Sequence, residues 1–383
     1  MDKNNEHDTS TVQPAGLPLL NNTDKVARII RRFHSYGHMV WQMLRRGVPA
    51  KDIIRNQFPL IDPHPRNPAL VSLELTSHCN LRCVYCTSPI HLRPGSFMPK
   101  DVIEKSLAGI RTLGVSRVDV VGEGEATLHP DFAYVVRELV RFVPYVAVIT
   151  NGQWKRPGEI VNALLDHPVS AVECSVHGDK AGYERARVGG QFERLVEDIA
   201  LLKESRDRRR SETIINIRVM LRPSDRAAEQ SALAFWKPYG DAVMPMYVVQ
   251  PKRLASIEDV YTTVQSHENT FLKCSLPFRC LFIEWDGNVP LCHMSLQQIG
   301  APGLVLGNVL TDPLDGLWNG PVMRQYREGH HKREPARMPI CAACWRKNGP
   351  AANRRMFRAF WFRCAWSSRK RKSTGSVLSL IHI

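Results

Sequence analysis

A chain of 383 residues, 43% of them apolar, is long enough for two or three domains, and no run of about 18 apolar residues marks it as membrane-spanning. Charged residues at 23%, with ample Val, Ile and Leu, exclude a wholly disordered chain. The balance of 52 Lys and Arg against 37 Asp and Glu is +15, but eight bases (Arg354, Arg355, Arg358, Arg363, Arg369, Lys370, Arg371 and Lys372) lie in a tail without an acidic residue, so the rest is only mildly basic.

Residues 1–22 are polar, are broken by Pro14-Ala-Gly-Leu-Pro18, and are expected to form a disordered lead. The opening MDKNNEHDTS lacks the apolar stretch of a secretory signal, so a reducing, cytoplasmic setting is the expectation. Residues 23–68 read as N-terminal helices, with Val26, Ile29, Ile30, Phe33, Met39, Val40, Met43 and Leu44 at helical spacing and breaks near Gly37 and Gly47.

A regular alternation fills residues 69–256. Strands are expected at Leu70–Leu75, Arg117–Val121, Tyr145–Thr150, Val169–Val176, Thr213–Met220 and Ala242–Val249. Helices are expected at Lys100–Leu113, Asp131–Phe142, Glu159–Leu165, Gln191–Lys203 and Arg226–Trp236. Six strands alternating with helices indicate a parallel α/β layer, either a half-closed barrel or a doubly wound sheet, with active groups at the C-terminal strand ends. Residues 257–352 lose this rhythm. A hairpin with an Asp286-Gly287-Asn288 turn is followed by short Gly/Pro-punctuated pieces, a cysteine-pinned unit with little core of its own. Residues 353–383 form a basic, aromatic tail.

Ten cysteines in a reducing setting more often ligate metal than pair as disulfides. Cys79, Cys83 and Cys86 form a C-x3-C-x2-C set just after the first strand. Three thiolates on one loop can hold three irons of a cubane and leave the fourth open; zinc is the other soft metal this donor set suits. Gly122-Glu123-Gly124-Glu125 closes the second strand, Thr150-Asn151-Gly152 the third, and Ser175 the fourth, with Arg187 twelve positions on and Arg185 equally available. Cys174 points away from Ser175 and reads as a buried apolar residue.

Thr76-Ser-His-Cys79-Asn-Leu-Arg-Cys83-Val-Tyr85-Cys86 resembles the signature of radical S-adenosylmethionine (radical SAM) enzymes. The resemblance implies a 4Fe–4S cluster that binds SAM at its unique iron and cleaves it reductively to a 5′-deoxyadenosyl radical, which abstracts a substrate hydrogen. It further implies that Tyr85 packs by the adenine, that Gly124 and Glu125 meet the methionine amino group as in a Gly-Gly-Glu-Pro motif, and that Asn151, Ser175 and Arg187 complete the cofactor site. Glu123 and Ala126 depart from that motif. The implied fold is a partial (β/α)6 TIM-like barrel with a small C-terminal cysteine-rich domain.

The second group, Cys274, Cys280, Cys292, Cys341 and Cys344, resembles the SPASM/twitch extension of this family. One auxiliary 4Fe–4S cluster is implied, as in the twitch group, held by Cys274, Cys292, Cys341 and Cys344, with Cys280 as alternative ligand; a closed four-thiolate zinc site also fits the residues. A closed cluster suits electron transfer, and His293 is a candidate base, a donor to the cluster sulfurs or a surface residue. The resemblance implies an oxidoreductase acting on a small molecule, with a peptide-modifying maturase as the alternative, and an electron donor such as flavodoxin or ferredoxin. The Asp24–Phe58 segment is expected to be too short and helical for a winged leader-binding domain, which favours the small substrate. A zinc-stabilised, nucleic-acid-binding protein would explain the tail and cysteines but not the strand-end residues, so no nucleic acid is expected. The tail allows peripheral contact with an anionic membrane, or a helix end covering the small domain.

Overall fold

The structure is a computed structural model, which describes residues 37, 39–50, 53–54, 64–86, 95–221, 226–247, 274–292 and 304–342. The lead at 1–22, the tail, His293 and Cys344 lie outside the described residues.

Strand β1 (Leu70–Leu73) leads through the short β2 (Arg82–Cys83) to helix α1 (Lys100–Leu113). Gly114 ends α1 in the left-handed region at φ 59°, its N–H reaching back to Ile110 and Arg111 carbonyls. Then follow β3 (Arg117–Val120), α2 (Phe132–Phe142), β4 (Tyr145–Thr150), α3 (Pro157–Leu165) and β5 (Ala171–His177). Helix α4 (Lys180–Ala186), capped by the Asp179 carboxylate accepting from Gly182 N–H, precedes the two-residue β6 (Arg187–Val188). The core closes with α5 (Phe192–Arg208), β7 (Ile214–Leu221), α6 (Arg226–Trp236) and β8 (Ala242–Tyr247).

Six strands of this core join in chain order, β1-β3-β4-β5-β7-β8, each parallel to the next. That is the sheet of a partial barrel rather than a doubly wound layer. Pro245 sits in β8, an edge strand of this sheet, where a residue without an N–H donor is tolerated.

The unit after residue 273 contains α7 (Leu276–Arg279), β9 (Cys280–Ile283), β10 (Asn288–Pro290), β11 (Val305–Asn308), α8 (Leu314–Trp318), α9 (Pro321–Lys332) and α10 (Pro339–Ala342). This unit shares the barrel's core rather than building a separate one. Strand β9 pairs in parallel with β1, Leu70 opposite Cys280 and Leu73 opposite Ile283, and becomes the seventh strand of the main sheet. Its Leu281 and Ile283, with Val289, Leu314, Trp318 and Met323, belong to the same apolar core as the barrel.

The two faces of the sheet differ. One face, carrying Val118, Val146, Val148, Val172, Cys174, Ile215, Ile217 and Val219 at 0% exposure, packs on the helices. On the other face, residues from the 39–54 segment (Met39, Met43, Val48, Ile53) cover Tyr145, Ala147, Ala171 and Ile214 at the N-terminal strand ends. Above this plug lies a charged layer. Arg117 forks onto Asp119 at 2.6 and 3.0 Å and lies 3.9 Å from Glu173, which pairs with Arg218. Beyond that layer the same face carries Ser175, His177, Met220 and Met246 toward the C-terminal strand ends. No helix among the described residues is long and apolar enough to cross a membrane.

Candidate functional site

The loop after β1 is fixed before its cysteines begin. Thr76 Oγ1 accepts from His78 N–H at 2.9 Å and donates to the Ser96 carbonyl at 2.7 Å. Cys79 is exposed, and Cys83 and Cys86 are half-buried. Their segment is clipped from the far side: β2 pairs antiparallel with β6, setting Cys83 opposite Arg187, and Val84 N–H reaches Ala186 O at 2.9 Å. The sequence reading missed this clip because two-residue strands leave no periodic signal; Gly189, at φ 90°, is its only local mark. The Cys79 sulfur accepts from Leu81 N–H at 3.5 Å and Asn151 Nδ2 at 3.9 Å. Desolvation pushes this thiol up to about 11, ahead of the nearby Glu125 and Cys83 charges. N–H donors aimed at sulfur suit a thiolate that has bound metal.

Behind the loop lies Glu125, 3% exposed. One carboxylate oxygen accepts from Thr127 Oγ1 at 2.7 Å and Thr150 Oγ1 at 2.8 Å, the other from Asn151 N–H at 2.7 Å. Burial raises its pKa above the ordinary carboxylate value, opposed by the bonds from Asn151, Thr127 and Thr150. Asn151 in turn donates to Asn80 Oδ1 at 2.8 Å, and Asn80 Nδ2 donates to the Gln153 carbonyl at 2.9 Å. A continuous hydrogen-bonded chain therefore runs from Glu125 to the residue beside Cys79. Asn80 and Gln153 are members that sequence reasoning did not single out, and Thr150 was named only as part of the strand-end Thr150-Asn151-Gly152.

The departures from the glycine motif have a steric account. A Cβ on Gly124 would land on the Thr76 and His78 carbonyls, and one on Gly122 would meet the Glu74 side chain. Position 123 needs only its N–H, which donates to Glu74 Oε1 at 2.8 Å, so Glu123 is tolerated. Ala126 opens a single 3-10 turn, capped by Glu125, where proline would fit equally well. Gly124→Ala is expected to destabilise the apo-protein by about 2–3 kcal/mol, read as a lower unfolding midpoint, and to lower the iron bound on reconstitution; an unchanged midpoint would contradict this close approach.

Arg187 is 3% exposed, whereas Arg185 is exposed, so the structure separates two arginines that the sequence left equivalent. Its guanidinium lies 5.8 Å from the Tyr85 ring and 5.7 Å from the Tyr183 ring, and its Nε has no hydrogen-bond partner. Among the described residues no carboxylate pairs with it. A buried guanidinium with unspent donors fits the carboxylate of a small molecule. Ser175 is half-buried at the end of β5, opposite Arg218, and Cys174 is fully buried.

In the C-terminal unit Cys274, Cys292 and Cys341 are half-buried, at the start of α7, after β10 and within α10. Cys274 N–H reaches His330 Nδ1 at 3.5 Å. Cys280 differs: it is buried in β9 with its sulfur 3.5 Å from Ser72 Oγ, and burial pushes its thiol up to about 11. Among the described residues no three His, Cys, Asp or Glu side chains converge on one metal-ion position. A cubane asks instead that each thiolate reach a separate iron. The donor set, the Gly124 cradle and the unpaired Arg187 thus fit a cluster with a carboxylate-bearing cofactor beside it.

Comparison with known proteins agrees with this arrangement. Residues 73–232 match the family model described as the radical SAM superfamily, and residues 274–345 match that of an iron–sulfur cluster-binding domain, SPASM. A stretch of 124 residues is 34% identical to PqqA peptide cyclase of Rhodopseudomonas palustris, covering 32% of each chain. Another, of 151 residues, is 29% identical to GTP 3′,8-cyclase of Lactiplantibacillus plantarum, covering 37% of this chain and 44% of that protein. The chain thus spans 30% to 44% of the length of curated relatives that it matches. In fold it resembles Streptococcus suis SuiB bound to S-adenosylmethionine, with a TM-score of 0.53 at 14% identity over 68% of each chain.

Proposed function

The chain is a radical SAM protein with a SPASM-type iron–sulfur domain, and from that premise we propose that it modifies a peptide by removing a hydrogen atom from it. The observation that carries the chemistry is the assembly at one sheet end of a three-cysteine loop, the Glu125 network and the buried Arg187. Both domains imply 4Fe–4S clusters, the first with SAM. When bound, cluster and SAM supply one-electron chemistry that ends in loss of a substrate hydrogen.

This chain's own residues do the positioning. Cys79, Cys83 and Cys86 hold the first cluster. Glu125, fixed by Thr127, Thr150 and Asn151, offers negative charge to an ammonium group beside the Gly124 backbone. Arg187 offers its fork to a carboxylate, and Tyr85 covers the adenine side. Ser175 offers a hydroxyl to a ribose. In the second domain Cys274, Cys292, Cys341 and Cys344 hold one auxiliary cluster, and Cys280 serves sheet packing through its contact with Ser72.

The peptide reading is supported by the 34% identical stretch shared with PqqA peptide cyclase, which favours it over the small-molecule oxidation expected from the sequence. The stretch shared with GTP 3′,8-cyclase supports a second reading, a small-molecule substrate. Full-length protein, reconstituted anaerobically and reduced, is expected to hold about eight irons and to release 5′-deoxyadenosine from SAM. Short peptides encoded beside its gene, assayed by intact mass, are expected to lose hydrogen. Stoichiometric zinc without sulfide would defeat the radical reading. Unaltered peptides together with consumption of GTP would favour the second substrate class.

A further inference from the structure

The face of β7 and β8 that bears the charged layer continues toward the C-terminal strand ends as a wall of groups that the cofactor site does not use. On the inner face of β7 stand Arg218 and Met220, and beside them on β8 stand Met244 and Met246, with Arg218 opposite Met244 and Met220 opposite Met246. The same register sets Ser175 opposite Arg218 and His177 opposite Met220, so this wall adjoins the end of β5. It lies open. Met246 is 38% exposed and the Arg218 side chain 31%, whereas Ile217 and Val219 on the other face are fully buried. Met220 and Met244 are half-buried, and Met246, opposite Met220, is exposed. Their unbranched, polarisable side chains adapt to apolar groups of differing shape.

Arg218 sets the chemistry beside them. A guanidinium has five N–H donors; the Arg218 Nε is buried and has no hydrogen-bond partner, while the side chain as a whole is 31% exposed. Its charge is nevertheless already met. Glu173 pairs with it from the layer below, and Arg117, 3.9 Å from Glu173, is itself forked onto Asp119. Two cations and two anions close this layer electrically. The spare donors of Arg218 therefore suit a neutral carbonyl better than a carboxylate or phosphate, whose extra charge would face Glu173 without a counter-ion.

We propose that the β7–β8 wall is a substrate subsite, in which Met220, Met244 and Met246 receive an apolar side chain and Arg218 donates to the neutral carbonyl of the same residue, so that it reads an amino acid held within a peptide rather than a free acid or a phosphorylated small molecule. The subsite rests on the peptide reading above and names the feature of the peptide that is recognised.

The test is a titration of the full, cluster-loaded chain, its methionine methyls labelled with carbon-13 and its clusters oxidised. N-acetyl-leucinamide and N-acetyl-leucine are the two probes, alike but for the carboxylate. The amide is expected to shift the Met220, Met244 and Met246 methyls and to bind at least about threefold more tightly than the acid. Buried Met39, Met43, Met323 and Met338 are internal controls that stay in place. Arg218→Lys, which keeps the charge but loses the planar fork, is expected to erase the preference for the amide. Met246→Glu, at an exposed position, is expected to abolish the response while the control methyls hold. Shifts confined to other methyls, no shift up to the solubility limit, equal or tighter binding of the acid, or an unchanged preference in Arg218→Lys would each overturn the subsite. A failure to release 5′-deoxyadenosine would fall on the radical reading and leave this titration standing.

Discussion

Cys83→Ala is expected to halve the iron of the reconstituted protein, from about eight to about four per chain, and to bring 5′-deoxyadenosine release below detection. The reason that this variant reports ligation rather than unfolding lies in the clip. Strand β2 is held to β6 by backbone pairing, with Cys83 opposite Arg187, and its neighbour Val84 donates to Ala186 O. Alanine keeps every one of those bonds. Cys83 is only half-buried, so shortening it leaves little void. Cys280→Ala supplies the contrast. That thiol is buried in β9 against Ser72, and its loss is expected to cost about 1 kcal/mol of packing with the iron content unchanged. Iron and sulfide analysis beside calorimetry checks both; full iron in Cys83→Ala, or iron lost in Cys280→Ala, would reverse the assignment of ligands.

The barrel was legible in the sequence because each parallel strand is buried on two faces and reads as a β-branched run, as in YVAVIT of β4 and IINIRVML of β7. The pairing of β9 with β1 was not. It joins residues 210 positions apart, Leu70 to Cys280, and no local pattern announces a partner at that distance. The turn at Asp286-Gly287 was visible, but the hairpin expected around it does not form: β9 joins the main sheet beside β1, and β10 pairs instead with β11. In the site, the cysteines, Glu125 and Arg187 were recoverable from motif spacing, because metal and ammonium chemistry restrict residue type. The chain from Glu125 through Asn151 to Asn80 was not, since a hydrogen-bond network depends on rotamers and register. The methionine wall needed register as well: Met244 and Met246 alternate along β8, but only the pairing of β8 with β7 sets Met220 beside them.

Glu125 should separate folding from cofactor binding. In Glu125→Ala, the buried Asn151 N–H and the Thr127 and Thr150 hydroxyls lose their acceptors together, and the apo-protein is expected to lose about 3 kcal/mol. Asn151 also holds Asn80, so the cysteine loop loosens with it. Glu125→Gln tells a different story. Its oxygen can still take the bonds from Thr127 and Thr150, but its amide then meets the Asn151 N–H donor to donor, because Thr150 Oγ1 already accepts from Gly152 N–H and Trp154 Nε1 and has no lone pair left for the amide. With one acceptor lost where Glu125→Ala loses all of them, stability should fall by about 1–2 kcal/mol, yet the negative charge that meets an ammonium is gone, and SAM affinity should drop about tenfold or more. The same pair fixes a sign with pH. Burial raises the folded-state pKa of Glu125, so between the ordinary value and the raised one the folded state binds more protons than the unfolded state. Its contribution to apo-protein stability is complete at acid pH and is lost as pH rises through the folded value. Glu125→Gln should flatten that decline in denaturant titrations run across the acid range. A wild-type profile that rises with pH there, relative to Glu125→Gln, would mean that the hydrogen bonds outweigh burial and that Glu125 is ionised throughout.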